Sequence, residues 1–306
     1  MGAAWVAGVT RARGMLVRRL GVPGARRIAA AGTLDDALHD LATASSYRCP
    51  ASDAAVPTLQ REVTASLLWH LRVLAGWLPR RGVECLRLLA SGFEIANIEA
   101  HLRRVSGSNV PQPYAMGALS TVWNRLAGVS EPEALRAAVT ASPWRDPGDT
   151  AASMAVTLRL TAAARTAARI PPAVRWSAGR AALLVARERF VHGRPLPATA
   201  DGPAVGLLGP AAVRASAYDN FCRSLPATAG WALHGIDDPA DLWRAEGRWW
   251  RDIEQDGLRL ASRARYDMVP VVGAVAVLSA DAWRTRAVLE LVADDTAPPE
   301  DFDALA

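Results

Sequence analysis

Long segments of alanine, leucine and arginine, with very little strict apolar–polar alternation, commit this sequence to helix. No Asn-Gly pair occurs, and few runs carry the period-two pattern of a half-buried strand. Three helix starts are written out. Thr33-Leu34-Asp35-Asp36 and Ser130-Glu131-Pro132-Glu133 each set a hydroxyl three residues ahead of a carboxylate. The hydroxyl is then placed to accept from an orphan backbone N–H while the acid faces the helix dipole. Asp238-Pro239 supplies the third, with proline where its missing N–H does no harm. The run at 271–278, VVGAVAVL, has strand propensity. Val271, Val275, Leu278 and Ala282 nevertheless keep helical spacing, so helix is expected there too.

Two of the starts lead into a repeat. Residues 37–48 read ALHDLATASSYR and residues 134–145 read ALRAAVTASPWR, identical at six of twelve positions without a gap, at an offset of 97 residues. A weaker third copy begins at Asp238-Pro239-Ala240-Asp241-Leu242 and runs to Trp249-Trp250-Arg251, a capped helix ending in an aromatic beside arginine. An offset near one third of the chain implies three helical units, each unable to bury its apolar face alone. Gly/Pro/Ser clusters at 106–113 and from 193 to 210 serve as seams. The expected division is 1–110, 111–205 and 206–293, followed by a solvated acidic tail, 294–306.

Composition narrows the chemistry. All 35 cationic side chains are arginine, which removes mechanisms that need an amine nucleophile, a Schiff base or a phosphate-loop lysine. Arginine together with abundant Ala, Gly and Pro has the look of a GC-rich coding sequence, so a net charge of +5 argues only weakly for a polyanion partner. Cys49, Cys85 and Cys222 are odd in number and lack CxxC spacing, which fits a reducing compartment and a cytoplasmic location. No stretch reaches the roughly 18–20 apolar residues that cross a bilayer. The five histidines show no metal spacing and no serine lies in a GxSxG elbow. Asp35-Asp36 and Asp237-Asp238 sit where helix caps belong, so no catalytic residue and no cofactor is expected.

The segment 84–105 carries two faces. Leu88, Ile95, Ile98, Leu102 and Val105 form an apolar stripe, while Glu94, Asn97, His101 and Arg104 line a polar one. Glu99 and Arg103 make a favourable i, i+4 pair. The polar face is either solvated or turned toward a cavity or partner.

Residues 83–104, VECLRLLASGFEIANIEAHLRR, resemble the most recognisable segment of the C-type central-stalk subunit of the V/A-type rotary ATPases, the d-type subunit of the eukaryotic proton pump. The family pattern of an acid, two residues, Asn-Leu, four residues and an arginine is matched by Glu94, Asn97, Ile98 and Arg103. Residues 9–19, VTRARGMLVRR, are similar to its arginine-bearing first helix. Residues 270–291 look like its last stretch, with Gly273, Asp281 and Arg286 in the matching places. The chain departs from the pattern at 173–193, where Ala181-Ala182-Leu183-Leu184 replaces the polar residues, and at Glu94, where Asp is commoner.

The resemblance implies an all-α funnel of three similar helical subdomains with pseudo-threefold symmetry. Its role would be non-catalytic: a central-stalk component between rotor-shaft subunits of the D/F type and the membrane proteolipid ring, coupled to ion or proton transport. Membrane contact would run through the ring at the inner face of the plasma membrane, with no nucleic acid bound. Glu94, Asn97, Arg103, Asp281 and Arg286 are the expected shaft-facing or inter-unit contacts, Asn97 equally as an internal hydrogen-bond bracket. The 11 tryptophans are expected mainly as core, some as rigid anchors for partners. Arginines 11, 13, 18, 19, 26 and 27 form a basic face, solvated or turned to acidic loops or anionic lipid. Two alternatives stay open: a helical nucleic-acid-binding regulator, suggested by the arginine excess, and a helical-repeat adaptor unconnected with an ATPase.

Overall fold

A computed structural model describes residues 2–48 and 54–294. Among these residues every regular element is a helix, so the all-α class holds. Cys49 and the tail beyond 294 lie outside the described residues. The chain forms two compact units, one from residues 1–83 with 250–306 and one from 84–249.

The first unit holds α1 (Ala3–Leu16), α2 (Gly21–Ala29), α3 (Leu34–Ala44) and α4 (Val56–Ala75). The chain leaves it within α5 (Arg80–Leu89). Thr33 caps α3 as its sequence predicts, its hydroxyl accepting from Asp36 N at 3.1 Å. The chain returns to this unit late, and its closing helix, residues 268–293, is the one on which α1, α2, α3 and α4 all pack. Residues 270–278 of that helix are buried on every side, which explains why VVGAVAVL shows no polar face. Asp267 starts it, accepting from Val269 N at 2.9 Å. Gly273 is required by a close crossing: a Cβ there would fall 2.5 Å from the Gly257 carbonyl oxygen of the preceding helix. Arg284 and Glu254 form a buried ion pair between the same two helices.

The second unit begins with α6 (Ser91–Val105), α7 (Trp123–Leu126), α8 (Pro132–Thr140) and α9 (Ala151–Arg169). It continues through α10 (Val174–Ala186), α11 (Ala198–Leu208), α12 (Pro210–Arg214), α13 (Tyr218–Ser224) and α14 (Ala227–Gly230). The last two helices among the described residues are α15 (Leu242–Ala261), along which the chain crosses back to the first unit, and α16 (Met268–Ala293), just described. α9 is the pillar of the second unit, flanked by α6, α10 and α11.

The structure differs locally from several sequence expectations. α8 starts at Pro132, one residue later than a Ser130 cap implies, and its N-cap is Glu131, whose side chain makes no capping bond; proline at the first position sets the start instead of the Ser130 hydroxyl. The second seam, from 193 to 210, contains α11 despite Pro203 in its interior. Ala200, Ala204 and Leu208 fall one helical turn apart and bury their side chains as α11 packs on α9, so packing outweighs the local cost of proline. The boundary expected at 205 therefore lies within a helix. Asp238 does cap, accepting from Ala240 N at 2.8 Å, and a short 3-10 turn leads into α15. Trp123, Trp144, Trp176 and Trp249 are core, whereas Trp69, Trp77 and Trp243 are exposed.

Candidate functional site

Glu94 stands on α6 with no solvent exposure. Its Oε1 accepts from three successive backbone N–H groups, Thr121 at 2.7 Å, Val122 at 2.8 Å and Trp123 at 2.9 Å, and from the Ser120 hydroxyl at 3.1 Å. Oε2 accepts from Trp144 Nε1 at 3.0 Å. Those backbone groups begin α7, a four-residue helix with no capping side chain of its own. A carboxylate on another helix thus satisfies the amides that α7 leaves unpaired, and it places a negative charge at the positive end of a helix. Arg165 lies over the Trp144 ring, 4.9 Å from its centroid. Burial pulls the Arg165 guanidinium below its usual range, and the Glu94 charge only partly offsets this.

Asn97 and His101 of the polar face of α6 also point inward, while Arg104 is exposed. Asn97 donates to the Tyr114 carbonyl at 2.8 Å and accepts from Tyr114 N at 2.7 Å, a two-bond bracket on the main chain. His101 Nε2 meets the Val129 carbonyl at 2.7 Å, and Arg104 donates to the Pro111 carbonyl at 3.0 Å. Glu99 takes Arg159 of α9 as its partner in place of the expected Arg103. The side chain of Arg103 is exposed.

Asp281 repeats the arrangement in the first unit. It is 1% exposed, and it accepts from Leu20 N at 3.0 Å and Gly21 N at 2.6 Å, where α2 begins, and from Tyr47 Oη at 2.9 Å. Gly21 sits at φ +66°, a left-handed conformation that favours glycine. Burial raises the Asp281 pKa, and the Gly21, Leu20 and Tyr47 donors counter this only in part. The Tyr47 phenol is pushed well above its usual range by burial first and by the Asp281 charge second. Arg286, one turn beyond, has an exposed side chain, and its carbonyl accepts from Gln60 Nε2 at 3.2 Å.

The aromatic donors occupy equivalent places in the repeat, and so do the serines beside them. Ser45 Oγ donates to the Leu41 carbonyl at 2.7 Å and accepts from Tyr47 N at 3.2 Å. Ser142 Oγ donates to the Val139 carbonyl at 2.5 Å and accepts from Trp144 N at 3.1 Å. No model of a known protein family matches this sequence, and no curated protein matches it either.

Of the five expected contact residues, Glu94, Asn97 and Asp281 therefore engage the chain's own backbone, while Arg103 and Arg286 present their side chains at the surface. Sequence reasoning did not single out Tyr47 and Trp144 as donors, although the repeat ended on them. On α10, Gly179 lies directly under Trp231, where a Cβ would fall 2.8 Å from the ring. The start of the Trp231–Leu233 turn there packs against bare backbone.

A separate cavity of about 500 Å³ lies beside the starts of α9 and α11. Its arginines are engaged, Arg136 with Asp146 at 2.9 Å and Arg194 with Glu188 at 2.7 Å.

Proposed function

We propose that this chain is a non-catalytic central-stalk component of a V/A-type rotary ATPase, of the C-type or d-type kind, joining the rotor shaft to the proteolipid ring. One observation carries the reading. The two acids picked out by the resemblance, Glu94 and Asp281, are the two buried carboxylates that each hold a helix start together with the closing aromatic of a repeat copy. In the division into thirds, Glu94 belongs to the first and holds the second, and Asp281 belongs to the third and holds the first. Gly179, in the second, backs Trp231 of the third. A cyclic succession of this kind supports three related helical subdomains about a pseudo-threefold axis. A torque-carrying cup needs such internal clasps, because a body that transmits rotation without chemistry must resist shear between its parts.

Membrane contact in this reading is made through the ring; among the described residues no helix is long and apolar enough to cross a membrane. The deciding experiment mixes the purified chain with the D/F-type shaft subunits and the detergent-solubilised proteolipid ring from the same organism. Co-elution with both on a sizing column is expected. Elution apart from both overturns the proposal.

A further inference from the structure

Basic side chains converge on one small cavity in the first unit. Arg11 of α1 and Arg18, in the turn just past its end, lie on either side of Gly14 and Met15 along the cavity wall. Together with Ser46, His70 of α4 and Leu278 of α16, they line a cavity of about 80 Å³. That is room for several waters, and so for one tetrahedral oxyanion.

His70 is the unusual member. Both of its ring nitrogens are shielded from solvent; the Ser46 backbone bears on the ring as a hydrogen-bond partner, but neither nitrogen makes a well-formed hydrogen bond. A half-buried imidazole so weakly partnered calls for an explanation. The charges that bear on the ring are Arg11, Arg48 and Arg18, all positive. Burial and these arginines hold its pKa below 6.5. Asp281, one turn along α16 from Leu278, is occupied by Leu20, Gly21 and Tyr47. The Trp69 indole meets the His70 ring edge-on at 5.0 Å, is 42% exposed, and carries the Arg48 guanidinium 5.5 Å above it. The arrangement is thus a cationic pocket with a hydrogen-bonding floor and, among the described residues, no carboxylate in its lining.

We propose that this cavity binds a phosphate group, with Arg11 and Arg18 as charged walls, Arg48 at its margin and His70 as the buried donor at its base. Arginine presents paired N–H groups that match phosphate oxygens, and a dianion removes the repulsion that the cluster otherwise carries. The imidazole gains a phosphate oxygen as a well-placed partner, and it is the group that reports occupancy. The site is independent of the rotary reading and stands or falls without it.

The test uses the full chain at constant ionic strength, so that general screening is held fixed. Inorganic phosphate is titrated while the His70 ring signals, assigned with His70→Gln, are followed by NMR. A saturable shift and a rise in the His70 pKa are expected. Arg11→Gln with Arg18→Gln should weaken binding at least about tenfold while leaving the circular dichroism unchanged, because both side chains are exposed. A second arm sediments the protein with phosphatidylcholine vesicles with and without phosphatidic acid. Retention on the acidic vesicles that the double variant loses assigns the phosphate to a lipid headgroup. A saturable phosphate shift without retention assigns it to a soluble phosphoryl ligand. The absence of a shift in the wild-type protein, or an equal shift in the double variant, overturns the proposal.

Discussion

Tyr47 and Trp144, 97 residues apart, each close a copy of the repeat by donating a polar hydrogen to a buried carboxylate. Tyr47 Oη reaches Asp281 at 2.9 Å and Trp144 Nε1 reaches Glu94 at 3.0 Å. A phenol and an indole share little in shape. What the two copies keep is an aromatic body for the core with a donor on its rim, and the acid that receives it comes from a helix outside the copy.

That shared role predicts strong coupling. Glu94→Ala strands the N–H groups of Thr121, Val122 and Trp123 in the interior and is expected to cost on the order of 3 kcal/mol or more. Glu94→Gln and Trp144→Phe singly, then together, should show a coupling of about 0.5–3 kcal/mol in urea unfolding. Additive losses in this cycle would contradict the clasp.

The pH dependence of the two units should have opposite signs. Burial raises the Asp281 pKa above 3.8 in the folded chain, so its contribution is fully present below that value and is lost as pH rises through the folded pKa. Glu246 is the reverse: burial opposes its ionisation, but Arg180 and Arg187 outweigh burial and hold its pKa below 4.5. Its contribution is present above that value and is lost as pH falls through the folded pKa. Urea midpoints between pH 3 and 7 for Asp281→Asn and Glu246→Gln, each subtracted from wild type, should slope in opposite directions.

The crossing of α15 and α16 tolerates no added methyl group. Gly273→Ala is expected to lose about 1–3 kcal/mol, since the new carbon meets the Gly257 carbonyl and not a yielding side chain. Gly92 on α6 has open space around it, and Gly92→Ala should gain roughly 0.5–1 kcal/mol. Thermal midpoints of the two variants therefore move in opposite directions from wild type.

Asn97 holds the segment after α6 by both polar groups of Tyr114. Asn97→Ala should free that segment locally and raise the rate of chymotryptic cleavage at Tyr114 several-fold under native conditions. An unchanged cleavage rate would mean that the bracket contributes no local order.

The helical class, the Thr33 and Asp238 starts and the helix over 271–278 were all legible, because each is fixed by neighbours within a turn or two. The repeat was legible as identity, and the Tyr47 and Trp144 bonds are its physical content. The partners of the acids were not legible. Asp281 meets groups more than two hundred residues away, and nothing local separates an acid that faces solvent from one that caps a distant helix. The polar row of α6 stayed open between a wet face and an inward one for the same reason: Glu94, Asn97 and His101 turn toward 114–129, with Asn97 as the internal bracket weighed for it. Tertiary packing on α9 likewise made a helix of residues 198–208, where Gly and Pro argued for a seam.

The helix on which α1 to α4 pack is α16, the last helix among the described residues. During synthesis α1 to α4 leave the ribosome before the α16 surface that shelters their leucines and valines, and they wait for it while the intervening unit is made. The first unit is thus completed last. A nascent chain stalled before residue 268 would keep those helices available to chaperones and proteases, however well the middle of the molecule had already folded.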